Sequence, residues 1–353
     1  MSTLADFDIG SLPGLWRWYD QEGRKLAFQA QSAAEAERWQ VALREQVARL
    51  LGSFAAQRCD LTPAEIDSTD EGDFRRDLIV LQTLPGEYMP VYVLTPNRAD
   101  APYKPVIALH GHGSWGVRSI VGIDDSAAAA EFSALLHYDY ARQIARMGYQ
   151  VFAPELRGFG RRLEYRERAL QAADPTAQWV SSCERVSLNA LMSGKTLMGL
   201  RVWDTLRLID YIQSRADVQV GELACVGLSG GGTLTMYTAA LDMRITCAYI
   251  SGAVNTFRDS ILSIDHCLCN YVPGILEYAE MDEIAGLIAP RPLVIEHGLR
   301  DPIYPPHGVE AAAETLRRIY ACFGADDRFM VHSFDGEHRW DGAPVEAWLA
   351  RYL

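Results

Sequence analysis

Residues 225–233 read CVGLSGGGT, with Gly227, Gly230, Gly231 and Gly232 set around one serine, Ser229. Glycine inside a helix or strand costs about 1 kcal/mol relative to alanine. Four of them together mark backbone that must turn sharply or come close to something. The run before Ser229 is apolar and of strand length, and the stretch after it has helical spacing. Gly227-Leu228-Ser229-Gly230-Gly231 then reads as G-x-S-x-G, a strained strand-to-helix turn that exposes the serine hydroxyl at the carboxyl end of a sheet. It also aims the Gly230 N–H, at a helix N-terminus, toward whatever binds there. The alternatives fit less well. A Walker loop needs Gly-Lys-Ser/Thr, and a dinucleotide fingerprint needs G-x-G-x-x-G after the first strand.

A serine hydroxyl is a weak nucleophile without a base, and the base needs an acid to orient it. The histidines after Ser229 are His266, His297, His307, His332 and His338. His338, in FDGEHRW, follows the last strand-like run and precedes the last helix, so a loop there can swing it over the sheet edge. His332 and His297 lie inside strand patterns, and His307 starts a helix. The acid is expected after the preceding strand, where HGLRDPIYP places Asp301 in a proline-bounded loop; shaping that turn is its other reading. The expected triad is Ser229, Asp301 and His338, in the order nucleophile, acid, base. A second oxyanion donor is expected from the loop HGHGSWG (110–116), giving His112 N–H and Gly230 N–H as the pair. Trp115, beside that loop, and Arg157 are candidate substrate contacts. Plain packing for Trp115 and an internal ion pair for Arg157 are the competing readings.

Metal chemistry finds little support in the spacing. His110 and His112 stand two apart without a convincing third ligand. SIDHCLCNYVPG (263–274) packs Asp265, His266, Cys267 and Cys269 together, but C-x-C with one histidine fits zinc spacings poorly. The segment reads as a lid or pocket wall. No cofactor and no metal are expected.

The totals bound the class. The chain has 353 residues, 49% hydrophobic and 22% charged, with a formal net charge of −13. The composition is that of a globular protein with room for a large core. The acidic balance argues against nucleic acid or an anionic membrane as the main partner. Seven cysteines, an odd number without regular spacing, do not make a disulfide framework. The N-terminus lacks the bases and apolar stretch of a signal peptide, and no apolar run reaches the roughly 20 residues of a membrane span. A reduced, cytoplasmic protein is expected.

The elements that must position the site follow from periodicity. SAAEAERWQVALREQVARLLGSF reads as an N-terminal helix, with Ser32 and Glu35 in capping-box positions. Its charged face reads as solvated surface, with a contact in a homo-oligomer the alternative. FRRDLIVLQT and MPVYVLTP read as two strands joined by a turn. Apolar runs at 105–110, 149–154, 222–229, 245–252, 291–298 and 328–334 then alternate with helical patterns at about 131–147, 195–215, 231–241, 307–323 and 344–352. Such alternation predicts an α/β fold, a mostly parallel central sheet flanked by helices. Long irregular stretches at 155–190 and 253–280 predict lid-like insertions. The expected division is an N-terminal helical extension over 1–73 and a catalytic domain over 74–353.

Together, HGHG, GLSGGG, the RDP loop and GEH resemble the α/β-hydrolase superfamily over about residues 75–353. Within it, LRGFGRR (156–162) and APRPLVIEHGLRDPIYP (289–305) resemble the dienelactone hydrolase-related and acetyl xylan esterase-like group. Dienelactone hydrolases carry a cysteine at the elbow, whereas this chain has Ser229. The resemblance therefore implies hydrolysis of ordinary carboxylic esters with small acyl groups, through an acyl-enzyme. An amidase, peptidase or thioesterase with the same triad, or a silent binding protein on the same fold, are the rival expectations.

Overall fold

The computed structural model describes residues 9–21, 23–53 and 57–353. Its centre is one nine-stranded sheet in the order β1-β2-β3-β5-β4-β6-β7-β8-β9. The strands are β1 (Ala64–Asp70), β2 (Phe74–Leu84), β3 (Glu87–Pro96), β4 (Pro105–Leu109), β5 (Gln150–Pro154), β6 (Ala224–Leu228), β7 (Cys247–Ser251), β8 (Leu293–Gly298) and β9 (Phe329–Phe334). β1, β2 and β3 pair antiparallel, and β3 joins β5 antiparallel. From β5 through β4, β6, β7, β8 and β9 every pairing is parallel. β4 to β8 are buried along their whole lengths, which is why they read as unbroken apolar runs rather than alternating ones.

Helices cover both faces. α8 (Leu197–Ser214), α9 (Gly230–Leu241), α10 (Met281–Gly286) and α11 (Pro306–Cys322) share one apolar layer with α2 (Ala33–Leu51). α3 (Val117–Ile120), α4 (Ala127–Leu136), α5 (Tyr140–Arg146) and α12 (Val345–Tyr352) line the other. The single helix expected over 131–147 is two, because His137 takes a left-handed conformation (φ 48°) that ends α4.

The N-terminal segment includes α1 (Leu12–Gln21) and α2. α2 buries Ala36, Gln40, Leu43, Val47 and Leu51 on one stripe. Ser32 Oγ accepts the Glu35 N–H at 3.4 Å, while the Glu35 carboxylate reaches back to the Gln31 N–H at 2.8 Å. Gln40 Nε2 donates to the carbonyls of Gly286 and Ala289, and Arg44 donates to those of Ala240 and Leu287. These groups satisfy carbonyls that the ends of α9 and α10 leave open. The extension is thus built into the main body.

Two expectations need correction. The boundary at 73/74 cuts the sheet, because β1 pairs with β2 from Ala64 onward. β1 reads AEIDSTD and is almost wholly exposed, so it carries no apolar alternation; a charged edge strand of this kind resists pairing with other chains. Residues 1–8, 22 and 54–56 of the expected extension lie outside the described residues. The stretch 155–190 is also not irregular: it contains α6 (Tyr165–Ala173) and α7 (Cys183–Met192). No helix among the described residues is long and apolar enough to cross a membrane.

Candidate active site

β4, β6, β7, β8 and β9 run parallel, so their carboxyl ends open on one edge of the sheet, and the expected residues gather there. Ser229 follows β6 directly, with φ 58° and ψ −125°. A non-glycine residue with positive φ stores strain of about 1–3 kcal/mol, and here it turns the chain from strand into α9. The surrounding glycines answer to close approach. A Cβ on Gly231 would lie 1.8 Å from the Leu109 carbonyl oxygen, and one on Gly227 would lie 2.4 Å from that of Gly231. β4, β6 and α9 therefore touch backbone to backbone around the serine.

Asp301 and His338 come from the loops after β8 and β9. Leu299 N–H donates to the Phe334 carbonyl, and Arg300 N–H donates to that of Gly336, each at 2.9 Å. A Cβ on Gly298 would lie 2.4 Å from the carbonyl oxygens of Gly336 and Glu337. These contacts clamp the two loops together. Asp301 is buried, and its Oδ1 accepts the N–H groups of Ile303 (2.8 Å) and Tyr304 (3.0 Å). Its Oδ2 stands 2.7 Å from His338 Nδ1. The carboxylate can only accept, so Nδ1 carries the proton and Nε2 is the free base. That Nε2 is buried and has no hydrogen-bond partner among the described residues. The Tyr304 ring stacks on the imidazole at 5.8 Å between centroids.

A carboxylate the sequence reading missed holds this loop from below. Glu296, buried on β8, accepts from the hydroxyls of Tyr249 (2.5 Å) and Ser251 (2.7 Å). It also accepts the N–H groups of Asp341 (3.1 Å) and Gly342 (2.8 Å), just past His338. Its place inside an apolar strand was the available signal, since a buried carboxylate needs such partners.

The two residues expected to supply the oxyanion donors also adjoin one another. Gly230 opens α9, where the first N–H groups have no intrahelical partner. A Cβ there would lie 2.9 Å from His112 Nδ1, and one on Gly111 would lie 3.1 Å from Ser229 Cβ. The Gly111 N–H is held by the Tyr138 hydroxyl at 2.5 Å. His110 is structural. Its Nε2 accepts the Leu156 N–H at 3.0 Å, and its Nδ1 donates to the Gly111 carbonyl at 2.8 Å. Burial lowers its pKa to about 3, so it stays neutral and ties the end of β5 to the oxyanion loop.

Ser229, His338 and His112 line one cavity of about 770 Å³. Most of the remaining wall comes from the two insertions: Phe159, Trp179 and Glu184 from the first, Ile264, His266 and Tyr271 from the second. Burial lowers the His266 pKa to about 4, and its Nδ1 accepts from Asn270 Nδ2 at 3.0 Å.

The two expected substrate contacts stand elsewhere. Trp115 is buried against Phe132, with ring centroids 5.2 Å apart, and lines a separate cavity of about 650 Å³. Arg157 pairs internally: its Nε and Nη2 grip the Asp204 carboxylate at 2.8 and 2.9 Å, and Nη1 meets Glu87. Trp115 thus packs and Arg157 pairs internally, the competing readings of the sequence. The remaining histidines are likewise engaged or remote. His332 bonds Asp341 at 2.9 Å, His297 bonds Ser333 at 2.8 Å, and His307 is exposed.

Solved structures share the fold that carries these residues. One, provisionally described as an acetyl xylan esterase of Bacteroides fragilis NCTC 9343, superposes with a TM-score of 0.76 at 16% identity, covering 93% of this chain and 83% of the other. The chain has the α/β-hydrolase fold. A glucuronoyl esterase from Solibacter usitatus shares this hydrolase fold with a TM-score of 0.68 at 13% identity, covering 93% and 95%. By sequence, the chain is 29% identical over 292 residues to YtaP of Bacillus subtilis (strain 168), a protein provisionally described as a hydrolase; the match covers 82% of this chain and 90% of that one. No family model matches.

Proposed function

We propose that this α/β-hydrolase cleaves carboxylic esters with Ser229 as nucleophile, His338 as general base and acid, and Asp301 as the orienting carboxylate. The observation that carries the reading is His338: Asp301 fixes its Nδ1, and its buried Nε2 has no protein partner in the cavity that Ser229 also lines. His338 Nε2 takes the Ser229 hydroxyl proton as Oγ attacks the ester carbonyl. The tetrahedral oxyanion forms against the N–H groups of Gly230 and His112. Collapse expels the alcohol, which takes the proton back from His338, and leaves an acyl-enzyme on Ser229. Water activated by the same imidazole then releases the acid. Each oxyanion donor is worth roughly 2.7–4 kcal/mol of transition-state stabilisation.

The names of the structural relatives favour an ester whose alcohol or acid part is a carbohydrate. The wall fits a substrate with an apolar face and hydroxyls. Trp179 and Tyr271 offer ring surfaces, and Glu184, Asp265 and His266 offer polar atoms. A short acyl group is the reading carried over from the family resemblance.

The test is an intact-mass measurement after a fluorophosphonate probe, alongside turnover of p-nitrophenyl acetate, butyrate and octanoate and matched anilide and thioester substrates. One adduct on Ser229, absent in Ser229→Ala, with acetate turned over fastest is the expected result. Faster anilide or thioester turnover would move the reading to amidase or thioesterase. A folded protein with no adduct and no turnover would make it a binding protein.

A further inference from the structure

Four side chains that the sequence scatters over 158 positions converge beside the oxyanion loop. They are His112, after β4; Cys183, the first residue of α7; and Cys267 and Cys269, on the loop after β7. One ligand atom from each, three sulfurs and an imidazole nitrogen, all lie within 4.8 Å of one another. His112 Nε2 faces the sulfurs, 3.3 Å from Cys269 Sγ. Cys183 and Cys269 are buried, and the other two are half-buried. We propose that His112, Cys183, Cys267 and Cys269 form a structural zinc site.

The donor set selects the metal. Three thiolates and one imidazole around a tetrahedral Zn²⁺, at about 2.3 Å for sulfur and 2.0–2.1 Å for nitrogen, place the donor atoms roughly 3.5–3.8 Å apart. The cluster needs only a small contraction to reach that geometry. Four protein ligands close the coordination shell, so the ion braces rather than reacts.

An independent feature points to negative charge at this place. Arg201 is almost fully buried, and among the described residues no carboxylate pairs with it. A buried guanidinium without a counter-ion is costly. Its Nη2 lies 3.1 Å from Cys183 Sγ, and its remaining bonds go to the Arg157 carbonyl. A Zn²⁺ with three thiolates carries a net charge of −1, which Arg201 neutralises from outside the ligand shell.

The ion would join three segments beside the nucleophile, the oxyanion loop and both insertions. It would fix the His112 ring, which lies against Gly230, and so set the distance between the two oxyanion donors. The tie would also hold the cavity wall in place.

The test reads metal and not ester turnover, so failure of the proposed reaction leaves it intact. Untagged full-length protein purified in a thiol reductant should carry about one zinc per chain by plasma mass spectrometry. After chelation and loading with Co²⁺, it should show the visible bands of tetrahedral, thiolate-bound cobalt. Cys267→Ser/Cys269→Ser should hold at least tenfold less zinc under equal conditions. If that variant fails to fold, the wild type decides: zinc should protect Cys183, Cys267 and Cys269 from iodoacetamide, and chelation should expose them. No zinc and no cobalt bands in folded, reduced wild type would overturn the proposal. So would a disulfide between any two of the three cysteines in protein kept under reductant.

Discussion

Asp301 Oδ2 sits 2.7 Å from His338 Nδ1, and the same carboxylate takes two backbone N–H groups on its other oxygen. The imidazole is thereby locked in one tautomer and one orientation before any substrate arrives. Ser229→Ala and His338→Ala should each lower kcat by roughly 10⁵–10⁶-fold, and Asp301→Asn by roughly 10⁴-fold. The double variant Ser229→Ala/His338→Ala should be no worse than either single one. Steady-state kinetics on p-nitrophenyl acetate, with circular dichroism to confirm folding, checks this; full activity in Asp301→Asn would remove Asp301 from the triad.

Gly230→Ala probes the proposed oxyanion site. The new Cβ would lie 2.9 Å from His112 Nδ1 and push the two donors apart. A loss of roughly 10²–10³-fold in kcat with little change in KM is expected, the size of one lost donor. A rise in KM alone would place the methyl against the bound substrate instead.

Arg157 separates packing from recognition. Asp204 is buried with Arg157 and Arg162 both bonded to it at 2.8 Å. Burial opposes its charge, but Arg162 and Arg157 outweigh that and lower its pKa to about 2. A depressed folded-state pKa means the stabilisation is present above the unfolded value near 3.8 and is lost as pH falls toward 2. Asp204→Asn should destabilise by about 3–5 kcal/mol at pH 7, because it takes the carboxylate from buried Arg162 and leaves Arg157 with Glu87 alone. Arg157→Met should lower stability and leave KM unchanged. Urea denaturation at pH 7 and pH 3, with KM alongside, reads both; a raised KM at unchanged stability would return Arg157 to the substrate.

Asp282 predicts the opposite pH trend. Burial first, then the neighbouring Glu283 and Glu280, raise its pKa to about 7. With the folded value above the unfolded one, the native state holds the proton more tightly, and stability is lost as pH rises from about 4 through 7. Asp282→Asn keeps an oxygen for the Glu283 N–H, which Asp282 Oδ1 accepts at 2.7 Å. Its Tm should exceed that of the wild type at pH 8 by more than at pH 5. An equal gain at both would show that Asp282 is not protonated in the fold.

Much of this architecture was legible because its signals are local. A parallel strand buried on both faces must be apolar along its length, so β4 to β8 stood out as runs, while β2, β3 and β9 were legible from their apolar and β-branched content. The elbow demands glycines within five residues, and an acid and a base of such a site sit in loops just past strands, so order and position pointed to Ser229, Asp301 and His338, which the fold brings to one edge of the sheet. β1 escaped because an edge strand wet on both faces has no apolar pattern. α6 and α7 escaped because their buried stripes are thin: no residue of α6 is buried, and α7 buries only Cys183, Ser187 and Ala190.

What the chain determines by itself is the set of short-range constraints: where backbone must turn, which runs must be buried, and which side chains can exchange a proton. What only the tertiary structure decided is which distant side chains share one small volume. Arg157 reaches Asp204 across 47 positions, and Cys183 meets Cys267, Cys269 and His112 from separate loops. Pairing across such separations is set by how the insertions pack over the sheet, and that packing is the sum of many weak contacts, none of which leaves a spacing in the sequence.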